Sequence, residues 1–277
     1  MTVVEADGNY VEPVVVDDLD IYSGESYSVL ITTDQNPSAN YWVSISVRGR
    51  LPKTQPGLTI LNYHPNSPSQ LPTSPTSKAS SNKILARQGS PKPPPFPARR
   101  IFLLNTQNYI DGYTKWAINN ISLILPPTPY LGSIKFGLRK AIDQERPPDM
   151  YPSNYDVMRP PANPNSKHGS NVYMLKFNST VDVILQNANG KADEKKLNLK
   201  NPPLQNTAVV FPYGWTALRF ISDNPVVWAF HCHIEPHLHM GMGVIFAEGV
   251  ELVKNIPTQA LACGMTANMF INGHHRP

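Results

Sequence analysis

The chain has 277 residues, 40% of them hydrophobic and 9% aromatic, enough to pack one large domain or two smaller ones. Only 16% are charged, and the formal charge of +4 is scattered instead of forming a basic stripe interleaved with aromatics, which excludes a nucleic-acid-binding surface of the usual kind. No run of 18 apolar residues occurs, so no transmembrane helix is expected, and residues 1–7 have neither the basic start nor the apolar centre of a signal peptide.

Residues 26–33 and 41–47 are rich in β-branched and aromatic side chains and predict strands, with 34–40 turning between them. In the second, Trp42, Ser44 and Ser46 alternate with Tyr41, Val43, Ile45 and Val47, the period of a two-faced strand. Residues 52–97 hold eleven prolines among many serines and threonines and predict a linker or loop between two units. A second unit follows, with strands expected at 101–104, 116–121, 172–177, 181–185, 208–211, 217–221, 226–231 and 243–248. Only 130–142 has helical character, 143–170 with its six prolines predicts a surface excursion, and 251–277 a peripheral tail. Many short strands broken by Pro, Gly and Asn predict an all-β, Greek-key sandwich or barrel.

The chemistry concentrates in Trp228-Ala-Phe-His-Cys-His-Ile-Glu-Pro-His-Leu-His-Met-Gly-Met242. Four histidines, one cysteine and two methionines fall within residues 231–242. A blue-copper site needs a thiolate, imidazoles in a trigonal plane and a weak axial thioether. Cys232 can supply the thiolate, His237 an imidazole and Met242 the axial sulfur. On a strand, neighbours point to opposite faces, so His231 and His233 face away from Cys232 and could ligate a different metal centre. Zinc also takes Cys and His, but needs neither the spaced Met nor the His-Cys-His alternation. His239 and Met240 read as structural, and His64, His168, His274 and His275 as isolated. Two sequons, Asn120-Ile-Ser and Asn178-Ser-Thr, mark candidate glycosylation sites and are weak support for secretion.

This stretch resembles the multicopper oxidases, the plant ascorbate oxidases among them. The resemblance extends to Tyr213-Gly-Trp-Thr-Ala-Leu-Arg-Phe220, Asp111-Gly-Tyr-Thr-Lys-Trp-Ala-Ile-Asn-Asn120, Pro126-Pro-Thr-Pro-Tyr-Leu-Gly132 and Val15-Val-Asp-Asp-Leu-Asp-Ile-Tyr-Ser-Gly24. It implies cupredoxin-like sandwiches: residues 1–75 as the last part of a second domain, 76–98 as a linker, 99–250 as an incomplete third domain and 251–277 as its tail. It implies copper as cofactor, with Cys232, His237 and Met242 at the blue copper and His231 and His233 at the dinuclear pair of a trinuclear cluster. It further implies a small reductant (ascorbate or a phenol), dioxygen as acceptor, a secreted cell-wall location and a possible homodimer for the parent enzyme.

The sequence departs from this family in three places. A His-Pro-x-His-x-His segment, which in the family completes the blue-copper set and gives two cluster ligands, should follow 181–189; only Gly190-Lys-Ala192 lies between that strand and Asp193-Glu-Lys-Lys196. The first domain, with its two His-x-His motifs, is also lacking, and an aromatic substrate loop near 77–81 is shortened. Cys263 resembles a cysteine that pairs with one in that first domain, so it is expected to be a free thiol. The resulting expectation is a copper-binding portion of an oxidase that does not reduce dioxygen by itself, with a non-catalytic copper- or partner-binding remnant as the alternative.

Overall fold

The computed structural model describes residues 1–48, 51–73, 83–151, 166–187 and 196–271, the side chains of 270 and 271 excepted. Residues 76–82, the 190–192 junction and His274 and His275 therefore lie outside the described residues. The chain divides into two compact units. The first comprises Met1–Ile21, Glu25–Ser90 and Pro203–Gln205, and the second Tyr22–Gly24, Pro91–Pro202 and Asn206–Pro277.

In the first unit, β1 (Thr2–Ala6) lies between β2 (Asn9–Val15) and β3 (Tyr27–Leu30), all antiparallel. Asp7 and Gly8 join β1 to β2 with φ of 49° and 84°. Positive φ at both central residues matches the twist of a hairpin, and Asp-Gly is a preferred pair for it. Val3, Ala6, Val11 and Val16 form the core of this unit. A separate hairpin pairs β4 (Tyr41–Ile45) with β5 (Gly57–Leu61). The proline-rich stretch from 52 thus contains a strand, in the short interval where Leu58, Thr59 and Ile60 follow one another without proline.

The second unit is a sandwich of two sheets. One runs β12 (Trp215–Ile221), β11 (Thr180–Gln186), β6 (Arg99–Ile110), β7 (Tyr113–Ile118), β8 (Ile121–Leu123), β9 (Lys167–Gly169). The other runs β10 (Val172–Leu175), β14 (Gly243–Glu248), β13 (Val226–His231). Twelve residues long, β6 pairs in parallel with β11 through its first half and in antiparallel with β7 through its second, turning at Asp111-Gly112.

Period two builds the core. Val244 and Phe246 of β14 enter a cluster with Ile101, Leu103, Val181 and Val183 of the facing sheet. Ile245 and Ala247 point the other way, against Tyr130, Leu131 and Ile134. The helix α1 (Tyr130–Lys135) therefore covers the outer face of β14, which is why every residue of that strand is buried. The helix is shorter than the 130–142 expected. Gly137 takes φ 62° just beyond its end, a conformation that closes helices.

Asn119 ties the segment after α1 to the sheet. Its Nδ2 donates to Phe102 O at 2.8 Å and Pro148 O at 3.1 Å, and its Oδ1 accepts from Leu104 N–H at 2.9 Å. Tyr173 donates to the same Pro148 carbonyl at 2.8 Å. The first residues of the proline-rich excursion are therefore held against β6. The tail is anchored as well, because Leu261 and Thr266 are buried and Met265 N–H donates to Thr128 Oγ1 at 2.9 Å. A third helix, α3 (Gly264–Ile271), closes the described chain.

Residues 208–211 are not a strand. Pro212, Tyr213 at φ 60° and the bond from Gly214 N–H to Phe211 O make a turn there. Among the described residues β12 and β13 are edge strands, and neither has a fully buried residue. Trp228 of β13 is 43% exposed, so this side of the sandwich is left uncovered.

Glu248, 5% exposed at the end of β14, shows the cost of a buried carboxylate. Burial raises its pKa, with nearby Asp223 adding to the shift and a backbone hydrogen bond from Asn224 opposing it. The folded state then holds this proton more tightly than the unfolded chain, so its contribution to stability is present below the ordinary carboxylate value and is lost as pH rises through the raised one. Glu248→Gln is expected to raise the melting temperature at pH 7 and to leave it nearly unchanged at pH 4, read by thermal unfolding at both.

Candidate metal centre

The His-Cys-His stretch begins at the end of β13. His231 pairs with Gly243 in the last rung of the β13–β14 ladder, and the chain between them folds back through a short helix, α2 (Glu235–His239). Pro236 at the start of α2 fits, since the first turn of a helix has no use for that N–H. Main-chain bonds then join the three expected ligands. Cys232 N–H donates to Met242 O at 3.1 Å, and Met242 N–H donates to His237 O at 3.0 Å.

Cys232 Sγ and His237 Nδ1 stand 3.7 Å apart. A metal ion bound to a thiolate at about 2.3 Å and to an imidazole nitrogen at about 2.0 Å, with an angle of about 110–120°, sets its donors roughly 3.5–3.7 Å apart. The pair therefore has the spacing of two ligands of one ion. Cys232 Sγ also accepts a hydrogen bond from Ile234 N–H at 3.4 Å. Burial holds the His237 pKa below its usual value, so the ring is neutral and its lone pair is available. Met242, 9% exposed, sits in the core cluster against which Cys232 packs.

The donor set distinguishes between metals. Among the described residues no three His, Cys, Asp or Glu side chains converge on one point. A closed zinc site needs four such donors. One thiolate, one imidazole and a thioether are a soft set that suits copper, in its reduced state above all. These residues fit copper, with one in-plane ligand fewer than a complete blue-copper centre.

His231 and His233 flank the partly buried Cys232 in the chain. Their rings are nearly parallel, 21° between planes, with centroids 6.3 Å apart, and both residues are exposed. His231 Nδ1 contacts Cys232 O at 3.0 Å. A carbonyl can only accept, so Nδ1 is the donor in this contact. His239 lies 3.5 Å from Glu235 on the exposed side of α2. Asn178 is exposed in the turn between β10 and β11, whereas Asn120 is half-buried after β7. Cys263 is exposed and unpaired.

Two residues that the sequence reading passed over shape the centre. The Trp116 ring lies 4.6 Å from the His237 ring at 38°, so the indole of β7 covers the imidazole. Trp116 N–H donates to Met240 O at 2.9 Å, which fastens β7 to the loop. No spacing signal links positions so far apart in the chain. Gly241 was legible, because a glycine between two methionines in a tight return marks close backbone approach. Its φ is 104°, and a Cβ would strike Ser122 Oγ and lie 2.8 Å from Trp116 O and 3.0 Å from Leu123 N. Gly241→Ala is expected to cost about 1–3 kcal/mol of local strain and to weaken copper retention, with the β-sheet signal in circular dichroism kept. Copper titration and far-ultraviolet spectra of the variant check both halves.

Comparison with known proteins agrees with this geometry. Two family models described as multicopper oxidase match residues 1–66 and 168–251. L-ascorbate oxidase of Nicotiana tabacum is 60% identical over 99% of this chain and 54% of its own length. L-ascorbate oxidase of Cucurbita maxima is 59% identical over 98% of this chain and 54% of its own. The solved structure of Fet3p, a multicopper oxidase that functions in iron import, superposes with a TM-score of 0.72 at 19% identity, over 99% of this chain and 55% of that one. That likeness establishes the cupredoxin-like, all-β fold.

The chain thus spans about half the length of the curated relatives it matches. The Nicotiana alignment runs over 315 positions against 277 residues in this chain, so at least 38 positions of the matched region have no counterpart in it. With the family models, the identities and the fold in agreement around the His-Cys-His loop, the chain belongs to the multicopper oxidase family and is a copper protein.

Proposed function

We propose that the chain is the cysteine-bearing part of an ascorbate-oxidising multicopper oxidase, holding copper at Cys232, His237 and Met242 and turning over only within a complete enzyme. The observation that carries this reading is the 3.7 Å separation of Cys232 Sγ and His237 Nδ1, on a loop that also ties in Met242. Copper bound there supplies one-electron oxidation of an outside reductant. The reductant is ascorbate, by likeness to the relatives named L-ascorbate oxidase, and the acceptor is dioxygen.

The protein's own residues supply position and path. Trp116 fixes the plane of the His237 ring and keeps water from one of its faces. The main chain of Cys232 leads directly to His231 and His233, which we assign to a second copper centre on the far side of the strand. A few covalent bonds would join a copper held at the sulfur to either imidazole. In the family that second centre takes eight histidines, and this chain offers two in register. Secretion into the cell wall goes with this reading, and the two sequons are weak support for it.

The uncovered strands β12 and β13 favour one other reading, a copper- or partner-binding remnant without turnover. An oxygen electrode separates the two. The copper-loaded chain with ascorbate is expected to take up oxygen no faster than the same copper free in buffer. Completing it with the internal segment and the N-terminal half of the Nicotiana relative is expected to restore uptake. Uptake by the chain alone, or none from the completed protein with its copper bound, overturns the proposal.

A further inference from the structure

The two Asn-X-Ser/Thr sequences are alike in the chain and unlike in the fold. We infer that Asn178 carries an N-linked glycan and that Asn120 does not. The inference uses the secretory routing proposed above, since the sugar donor is met there, and is independent of the copper reading. In the step itself, Asn178 Nδ2 attacks C1 of the first sugar of a lipid-diphosphate-linked oligosaccharide. A C–N bond forms, the C–O bond to the diphosphate breaks, the amide gives up one proton, and the lipid diphosphate leaves. No oxidant or reductant takes part.

Attachment acts on the emerging chain, so the fold selects a site by whether the sugar can stay outside it. Asn178 passes this test. It stands at φ 55° in the turn between β10 and β11, a left-handed position that asparagine tolerates better than most residues. The turn is held by other groups. Asn178 N–H donates to Ser222 O at 2.7 Å, and Ser222 Oγ donates to Lys176 O at 2.6 Å. Ser179 Oγ also donates to Lys176 O at 2.6 Å, and Ser222 is fully buried beneath. The Asn178 side chain is exposed and makes no hydrogen bond to a described residue, so a glycan there displaces nothing.

Asn120 fails it. Its Oδ1 accepts from Tyr151 O–H at 3.1 Å, and its carbonyl accepts from Lys167 N–H at 3.0 Å. The residue lines a polar cleft with Asn119, Asp143, Arg146 and Lys167, and a first sugar on it enters that cleft. The serine of its sequon, Ser122, is 1% exposed, and its Oγ donates to Met240 O at 3.2 Å in the metal loop. A sugar chain on Asn120 therefore competes with the packing of 143–151 and sits behind the strand that closes on the copper ligands.

The test uses the full chain, secreted from insect cells behind an appended leader. Peptide N-glycosidase in heavy-oxygen water converts each glycosylated asparagine to a mass-tagged aspartate, and peptide mass spectrometry locates the tag. The expected result is a tag at 178 in most molecules and none at 120. Asn178→Gln is expected to lose the mass of one whole glycan and Asn120→Gln to lose none. A tag at 120, or secreted protein with no tag at 178, overturns the inference.

Discussion

Cys232→Ser is expected to lose copper(I) at concentrations where the unaltered chain is fully loaded. The thiolate is the only charged, soft donor in the set, and the serine hydroxyl that replaces it is a hard, neutral oxygen. Loss of a supporting group beyond the ligands costs roughly 10- to 100-fold in affinity, so loss of the thiolate is expected to exceed 100-fold. The fold should survive the change. Cys232 is only partly buried, and the bond that places it runs through its main chain to Met242. Competition with a cuprous chelator gives the affinity, and unfolding curves recorded without copper should overlay.

The largest loss of stability is expected at Asp182→Ala. Asp182 sits on β11 with 3% of its surface exposed. The ladder places Arg219 of β12 on one side of it and Arg100 of β6 on the other. Arg219 grips the carboxylate with both arms, Nε to Oδ1 at 2.6 Å and Nη2 to Oδ2 at 2.8 Å, and its third nitrogen donates to Pro94 O at 2.8 Å. Such fork-on-fork pairs combine charge with fixed geometry. The Asp182 carboxylate in turn holds the Arg219 guanidinium above its ordinary pKa, against the effect of burial. Removing the carboxylate leaves a largely buried cation without its counter-charge, for which about 3–5 kcal/mol is expected. Replacing Asp182 and Arg219 together by leucine should cost much less, because neither charge is then stranded. Denaturant unfolding of both variants checks the difference.

Much of this architecture was readable in advance, and the misses have physical reasons. The strands at 226–231 and 243–248 match β13 and β14 residue for residue, because a buried central strand and its neighbour leave a continuous apolar signal. At the start of the chain, β1 and β2 were missed, although Asp7-Gly8 is a recognised hairpin signal; Glu5, Asn9 and Glu12 masked the apolar period around it. The short helix α2 was read as loop, since five residues with a proline among them carry no periodicity. In the site, Cys232 and His237 could be expected together from residue type and spacing, and their side chains stand 3.7 Å apart. Trp116 could not be named, because its place over His237 is set by a sandwich that brings β7 against the metal loop.

The most direct test is X-ray absorption at the copper edge of the chain loaded with one equivalent of copper(I). The account predicts sulfur scattering together with a single imidazole in the first coordination sphere, and loss of that sulfur contribution in Cys232→Ser. Scattering by nitrogen and oxygen alone, with copper held at His231 and His233 and the spectrum unchanged by the serine, would contradict it.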